Sequence, residues 1–266
     1  MTRPAGEVAR TLLALALLIG VAGVVPLVDG VRQARAVAWA AARGAAQLLT
    51  VGLVLGAVFW APLAVLPVLA VMVAAATATV GPRLSELPVR RRWWRPLAVV
   101  AAVASGAAVT LAVVFATGAL RLEARNLVAL GGITVGGAMT ASTLAGRRFM
   151  AELRGRRAEV EGKLALGATM RQATADLVGV AVAEALVPAL DQTRTTGLVT
   201  LPGAFVGALF GGASPLAAAR FQLVVLVGLL AAESVAAVVL LRLLADVPVL
   251  PVAAATAPAQ VSRRRR

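Results

Sequence analysis

The sequence predicts an all-α, polytopic membrane protein with about seven transmembrane helices. Of its 266 residues, 60% are hydrophobic and 14% are charged, and the mean hydropathy is +0.90. Soluble domains, by contrast, carry about 25% charged residues. Several apolar runs are about 20 residues long, enough for a helix to cross a hydrocarbon core of about 30 Å. Their unbroken character excludes a β-barrel, whose strands alternate over about ten residues.

Seven apolar runs are the predicted spans, at residues 11–28, 45–60, 63–80, 97–119, 127–145, 195–212 and 221–244. The first follows Arg3 and Arg10, so a signal peptide is an alternative, but no small-residue cleavage site follows it and a retained span is favoured. A tight turn at Pro62 is predicted to join the second and third spans. The run 177–190 would reach only about 21 Å as a helix. It is interpreted as an entry segment near the cytoplasmic face or as the lower part of the next helix.

The distribution of charge predicts the orientation. The net charge is +14, and most basic residues fall in the loops after the first, third and fifth spans and in the C-terminal tail. Loops rich in Lys and Arg face the cytoplasm, which predicts N-out, C-in. The same placement argues against nucleic-acid binding. We therefore expect one transmembrane domain over 1–250, with a cytoplasmic loop at 147–176, and a basic, disordered tail at 251–266.

The absent residue types and motifs narrow the chemistry. The chain has no cysteine and no histidine, which excludes disulfides, thiolate or imidazole metal sites and histidine-based catalysis. It has no GxxxxGK[ST] phosphate-binding loop, so it cannot itself be an ATPase of that type. A membrane-embedded enzyme would need paired carboxylates, but the acids are scattered over different spans.

The cytoplasmic loop contains a short amphipathic pattern. Val160, Leu164, Gly167 and Met170 fall on one helical face, and Glu159 stands four residues before Lys163. Such a helix can seat in a groove of a partner protein while its acids pair with basic groups there. A solvated loop helix is the alternative.

Other residues suggest a pathway or a hinge within the membrane. Pro202 is predicted to kink the sixth span, and a kinked helix with free carbonyls can line a pathway or simply pack. Gly132 and Gly136 have the spacing that lets helices approach closely. Asp191 is a candidate intramembrane acid, or it pairs with Arg194 one turn later near the cytoplasmic face. Glu184 and Glu233 are the other acids near the membrane.

Four segments carry a family resemblance: RRAEVEGKLALGAT, VPALDQTRTTGLVTLPG, GGASPLAAARFQ and, more weakly, ARGAAQLLTVGLVLGAVF. From about residue 35 to 241 the chain resembles the FetB-type ABC transporter permease family, a group linked to iron export in bacteria and aluminium tolerance in plants. The resemblance implies a homodimeric permease in the cell membrane that docks two separate ATP-binding subunits. ATP and Mg²⁺ would then be bound by those partners, with no cofactor on this chain.

The resemblance also implies roles for particular residues. A coupling helix that contacts the ATP-binding subunit would include Glu159, Glu161, Leu164, Leu166, Gly167 and Ala168. The second signature would supply Asp191, Gly197, Leu201, Pro202 and Gly203, and these join Gly132 and Gly136 as pathway or hinge candidates. The chain departs from the family at Ala204–Val206, where Met and Thr usually follow, and at Gly137, where Asn is common. These departures weaken a specific assignment of iron, and no metal ligand is assigned.

The resulting expectation is a non-enzymatic permease subunit that exports a metal ion, with iron as the family-based favourite. An ATP-independent channel and a lipid-binding structural membrane protein are the alternatives.

Overall fold

The computed structural model describes residues 4–58, 64–89, 91–247 and 250, and almost all of the described part is helical. Contacts divide the chain into two compact units, Met1–Pro62 and Leu63–Arg266. The turn predicted at Pro62 and the tail at 251–266 lie outside the described residues.

The first unit is a helical hairpin. Helix α1 covers Pro4–Val24 and leads through a 3-10 turn, Val25–Asp29, towards α2 at Ala34–Val58. The sequence interpretation of 29–44 as a basic loop is therefore wrong for its second half. That stretch is alanine-rich and lacks proline, so helix propensity carries α2 through Arg35 and Arg43.

The second unit is built on four long helices: α3 at Val65–Arg83, α4 at Trp94–Ala116, α5 at Ala124–Gly155 and α11 at Pro215–Leu244. Between α5 and α11 lie five shorter ones: α6 at Arg157–Ala165, α7 at Met170–Ala173, α8 at Ala175–Ala185, α9 at Val187–Thr195 and α10 at Gly203–Phe210. Small and branched apolar side chains from α3, α4, α5, α8 and α11 form the main core.

Within the described residues, the structure has no long helix where the sequence predicts the sixth span. Six described helices are long and apolar enough to cross a membrane, and α8 and α9 together add a seventh candidate. The pair runs over 175–195, about 31 Å at 1.5 Å per residue. The sequence pattern underestimates the length of this helical pair, because only residues 177–190 are apolar and the helices include the polar residues on either side. The number of about seven helices is confirmed.

The predicted kinked span at 195–212 is wrong. Helix α9 ends at Thr195, Gly197 takes a left-handed φ of 89°, and α10 has only eight residues, about 12 Å. Pro202 is the N-cap residue of α10, with φ −65°. Proline is tolerated there because no helical hydrogen bond needs its missing N–H. It therefore starts a short helix and does not bend a long one.

The segment GGASP makes the return into α11. Gly212, with φ 87°, closes α10 through hydrogen bonds from its own N–H to Leu209 and from the Ala213 N–H to Ala208. Ser214 then caps α11 by accepting a hydrogen bond from the Ala217 N–H, and Pro215 fills the first helical position. The signature is thus a helix stop followed directly by a helix start.

Helices α4 and α11 run antiparallel and approach most closely at a glycine. A Cβ atom built on Gly106 would lie 2.4 Å from the carbonyl oxygen of Ala232. Near the other end of this pair, the Trp94 indole donates a hydrogen bond to the Leu243 carbonyl. The C-terminal end of α11 therefore lies beside the start of α4 and the arginine-rich turn that precedes it. We call this end of the second unit the basic end; it also holds Arg154, Arg156 and Lys163.

Candidate coupling helix and pathway

Helix α6 is attached to the core by its apolar side. Val160 is buried, and Leu164 and Ala168 are partly buried against the main core. The predicted amphipathic helix is thereby confirmed over Arg157–Ala165. The inward position of Leu164 and Ala168 means that they support the helix from below.

Gly167 ends α6 through a Schellman motif. Its φ is 89°, its N–H donates to the Leu164 carbonyl at 3.0 Å, and the Ala168 N–H donates to Lys163 at 3.1 Å. Gly167, which the sequence pattern places on the apolar face of the helix, therefore lies just beyond α6 and ends it. The chain restarts at Thr169, whose hydroxyl and Gln172 form a capping box at the start of α7.

Ion pairs tie α6 to the next crossing. Lys163 Nζ lies 2.9 Å from Glu159 Oε1 and 2.8 Å from Asp176 Oδ2 on α8, and Arg156 makes a two-pronged contact with Glu159. The hydrogen bonds from Lys163 and then Arg156 lower the pKa of Glu159. The hydrogen bonds to Asp176 and then Glu159 raise the pKa of Lys163. Both groups therefore stay charged around neutral pH.

The outward side of this segment presents one acidic residue, Glu161, and one apolar residue, Leu166. Glu161 is half exposed and pairs with Arg157 at 2.6 Å, while Leu166 is 89% exposed. Its side chain projects freely from the turn that follows α6. The six candidate coupling residues thus form one local structure with an inner and an outer side.

The second set of candidates lies at the opposite end of the bundle. Asp191 is exposed and its Oδ1 is 3.7 Å from Arg194 Nη1, so the predicted pairing is observed as a loose contact. It is distant from α6, because α8 and α9 carry the chain away from that helix. Its predicted position near the cytoplasmic face stays a prediction. The polar residues 191–195 are part of helix α9, which ends only at Thr195.

Three of the pathway candidates meet at a cavity of about 320 Å³ beside α11. Gly197, Leu201 and Pro202 line it, together with Gln222, which is only 4% exposed. The Oε1 atom of Gln222 has no hydrogen-bond partner among the described residues. Gly203 begins α10 and does not line this cavity. Sequence inspection missed Gln222, although a glutamine inside an apolar span was the available signal.

The two glycines chosen on α5 have different surroundings. A Cβ on Gly132 would come 3.1 Å from Met72 Cε, whereas one on Gly136 would meet nothing within 4 Å. The tight contact with α11 lies one residue further on, at Gly137. A Cβ there would be 2.2 Å from Leu229 Cδ1 and 2.7 Å from Glu233 Oε1.

The two remaining acids near the membrane, Glu184 and Glu233, also have different surroundings. Glu184 pairs with Arg148 of α5 at 2.8 Å and is exposed, so it belongs to an ion pair between α5 and α8. Glu233 is 7% exposed in the middle of α11. Within the described ranges, no group of three or more His, Cys, Asp or Glu residues is placed to hold a metal ion.

This architecture defines a multi-pass helical membrane protein with a structured segment outside the spans. The sequence profile described as "Uncharacterised protein family (UPF0014)" matches residues 9–247. The chain therefore belongs to the UPF0014 family, which confirms the resemblance found in its motifs. No solved structure matches it.

Three curated relatives illustrate the family. The chain is 37% identical over 202 residues to the UPF0014 membrane protein STAR2 of Oryza sativa subsp. japonica, covering 75% of this chain and 69% of the relative. It is 30% identical over 232 residues to the probable iron export permease protein FetB of Escherichia coli (strain K12), covering 85% and 87%. It is 33% identical over 206 residues to the protein ALUMINUM SENSITIVE 3 of Arabidopsis thaliana, covering 75% and 72%.

Proposed function

We propose that this chain is the membrane-spanning permease subunit of an ABC transporter that exports a metal cation. A separate subunit binds ATP with Mg²⁺ and hydrolyses it. Two copies of the chain form the transmembrane part in the cell membrane, with the basic end facing the cytoplasm.

The observation that carries the proposal is the construction of α6. An amphipathic helix stands outside the spans, held from below by Val160 and laterally by Lys163. It presents Glu161 and the exposed Leu166 outwards. A helix that transmits movement must be attached firmly to the spans and must still offer a free face, and α6 meets both conditions.

The attachment to α8 gives the proposed movement a route. The Lys163–Asp176 pair connects α6 directly to the first turn of the sixth crossing, and the α8–α9 pair leads on to the cavity beside Gln222. A displacement of α6 by the ATP-binding subunit would therefore reach the opposite end of the bundle through two helices. We propose that this connection couples α6 to a rocking of the spans between inward-open and outward-open states.

The cargo and the direction of transport rest on a relative. The Escherichia coli protein, which matches most of both chains, bears the name of an iron export permease. We extend a metal cation and the export direction to this chain on that basis. The homodimer rests on the family resemblance alone, and crosslinking of single introduced cysteines tests it directly, since the chain has none of its own.

Co-purification tests the docking. The chain is expressed together with its candidate ATP-binding subunit and extracted gently from membranes as wild type, Glu161→Lys, Leu166→Asp and Glu123→Lys. Glu123 is an exposed acid immediately before α5, at the end away from α6, and serves as the matched charge-reversal control. We expect the partner to be lost from the first two variants and retained by the control.

The proposal is overturned if the wild-type chain purifies alone under conditions that preserve known membrane complexes. Retention of the partner by both α6 variants would instead place the docking surface elsewhere. Flux without any ATP-binding subunit would favour a channel.

A further inference from the structure

Glu233 is a carboxyl group buried in the middle of the membrane-spanning bundle. It lies on α11 and is 7% exposed. The nearest charged residues on the same helix are Arg220 and Arg242, about 20 Å and 14 Å away along the axis at 1.5 Å per residue. No hydrogen bond or ion pair to Glu233 is found within the described part of the chain. Its position cannot be explained as one half of a structural pair within this part of the molecule.

The surroundings of the carboxyl group come from α4, α5 and α11. Its Oε1 atom lies against the backbone of α5 at Gly137, and the preceding residue, Ala232, presses its carbonyl group against Gly106 of α4. The charged residues on the helices that pack against α11 lie towards helix ends or on exposed surface: Arg95 on α4; Arg125, Arg147, Arg148, Glu152 and Arg154 on α5; Asp176 and Glu184 on α8; and Asp191 and Arg194 on α9. Glu233 is thus isolated from every other charge of the described bundle.

Such a group needs a positive partner. Burial of an unpaired carboxylate is strongly unfavourable, so the group must hold a proton or a cation. Ionisable residues inside membrane bundles mark ion and substrate pathways for this reason.

The flank of α5 beside the carboxyl group is open. Gly137 puts no side chain between α5 and Glu233, and the space beside Gly136 is empty to 4 Å. One turn further, Thr140 is exposed, and its hydroxyl donates to the Gly136 carbonyl at 3.1 Å. The oxygens nearest to this part of α5 are thus the Gly136 carbonyl and the Thr140 hydroxyl.

We propose that Glu233 binds the transported cation within the membrane. Its carboxylate supplies the negative charge, and backbone or hydroxyl oxygens along α5 and α11 complete an oxygen-donor site of the kind that hard divalent cations prefer. This inference deepens the proposed function and rests on its assignment of a cationic cargo.

Chemical modification of the carboxyl group tests the site. Dicyclohexylcarbodiimide enters the hydrocarbon region and adds to carboxylic acids. The O-acylisourea first formed rearranges to a stable N-acylurea, and no group is released. Membranes containing the complex are treated with and without Mn²⁺, which stands in for the cargo because it resists oxidation, and the adduct is located by peptide mass spectrometry. We expect Glu233 to be labelled in wild type and Glu233→Gln to lose the adduct. Glu184 should show none, because its ion pair with Arg148 keeps it ionised and the reagent adds to the protonated acid.

Protection by the cation is the decisive readout. Labelling of Glu233 should slow about tenfold when Mn²⁺ is present at about ten times its Kd, because the occupied carboxylate is withdrawn by mass action. An equal ionic strength of KCl should leave the rate unchanged. Absence of labelling at Glu233, or labelling that Mn²⁺ does not slow, overturns the inference.

A pair of glycine variants distinguishes an effect on the cation site from a general effect on folding. Gly137→Ala places a Cβ 2.7 Å from the present position of Glu233 Oε1, whereas Gly136→Ala meets nothing within 4 Å. We expect protection by Mn²⁺ to weaken several-fold in the first variant and to persist in the second. Equal protection in both, with the adduct still on Glu233, would count against the site as described.

The failure of this inference can be told apart from the failure of the proposed function. A complex that retains its ATP-binding subunit and shows cation-stimulated ATPase activity equally in wild type and Glu233→Gln keeps the permease role and removes Glu233 from it. Protection of Glu233 by Mn²⁺ in a chain that binds no ATPase would leave the cation site in place and contradict the ABC assignment.

Discussion

Lys163 on α6 donates a hydrogen bond across 2.8 Å to Asp176 on α8, thirteen residues later in the chain. The bond links the segment proposed to contact the ATPase with the first turn of the sixth crossing. Its geometry makes α6 an extension of the bundle, although two of its four charged residues, Glu159 and Glu161, are exposed.

Removal of the ammonium group should loosen α6 without unfolding the bundle. In Lys163→Met, both Glu159 and Asp176 lose their shared partner, while Val160 stays buried. Because exposed ion pairs contribute little each, amide hydrogen exchange over 157–173 should rise only roughly two- to fivefold. Arg194→Met, which removes a contact at the opposite end, is the control and should leave that exchange unchanged. Unaltered exchange in both variants would show that the ion pairs do not hold α6.

The attachment of α6 should be independent of pH over a broad neutral range. The pKa of Glu159 is lowered by Lys163 and then by Arg156. Its contribution to the attachment of α6 is therefore present above its ordinary value of 4.5 and is lost as pH falls through the lowered value. The pKa of Lys163 is raised, so its contribution is present below 10.5 and is lost at higher pH. Exchange corrected for intrinsic chemistry should be flat from about pH 5 to 10. A transition near pH 7 would contradict this assignment.

Two glycines near α6 should respond to alanine in opposite directions. Gly167→Ala forces a side chain into a φ of 89° and should destabilise the segment by about 1 kcal/mol. Gly162→Ala lies inside the helix with nothing within 4 Å and should stabilise it by roughly 0.5–1 kcal/mol. Hydrogen exchange of α6 measures both. The same sign for the two variants would mean that the Schellman turn at Gly167 is not formed in the membrane.

The contact of α4 with α11 should tolerate no added methyl group. Gly106→Ala places a Cβ 2.4 Å from the Ala232 carbonyl oxygen, so the two backbones must separate, at a cost of roughly 1–3 kcal/mol. Gly136→Ala, on the open side of α5, is the matched control and should be neutral or mildly stabilising. Thermal unfolding in detergent compares them. Equal melting temperatures would show that the two helices are further apart than described.

The new position of the sixth crossing can be tested by sidedness. Single cysteines at Glu161 and Arg194, in a chain that otherwise has none, should react with a membrane-impermeant maleimide from opposite sides of sealed vesicles. The reason is that α8 and α9 together are long enough to cross between these positions. Labelling of both from the same side would restore the original interpretation, in which the crossing begins only after Arg194.

The number and general place of the helices could be predicted from hydropathy, because apolar length is directly visible in the sequence. The end of α6 at Gly167 could be anticipated too, since few residues other than glycine adopt its φ. The helical pair α8–α9 could not be predicted from hydropathy, because it contains charged residues such as Asp176 and Arg194 that end the apolar run in the sequence. Pro202 misled for a related reason: proline marks a helix start as well as a kink, and local sequence does not say which.

The candidate site was predictable only in part. The outward direction of Glu161 and the inward direction of Leu164 follow from helical spacing. The choice between Gly136 and Gly137 does not, since both lie in a stripe of small residues and only the position of α11 decides which one meets Glu233. The isolation of Glu233 likewise depends on three helices at once.

The proposed role of this chain as an ATP-driven metal exporter is best tested by transport in inside-out vesicles. Vesicles containing this chain and its ATP-binding subunit are given Mn²⁺ or Fe²⁺ under reducing conditions, and accumulated metal is measured with and without ATP. Our account predicts accumulation that requires ATP and both chains and that is lost in Glu161→Lys while the chain remains in the membrane. Metal flux through this chain alone, indifferent to ATP and to Glu161, would contradict it.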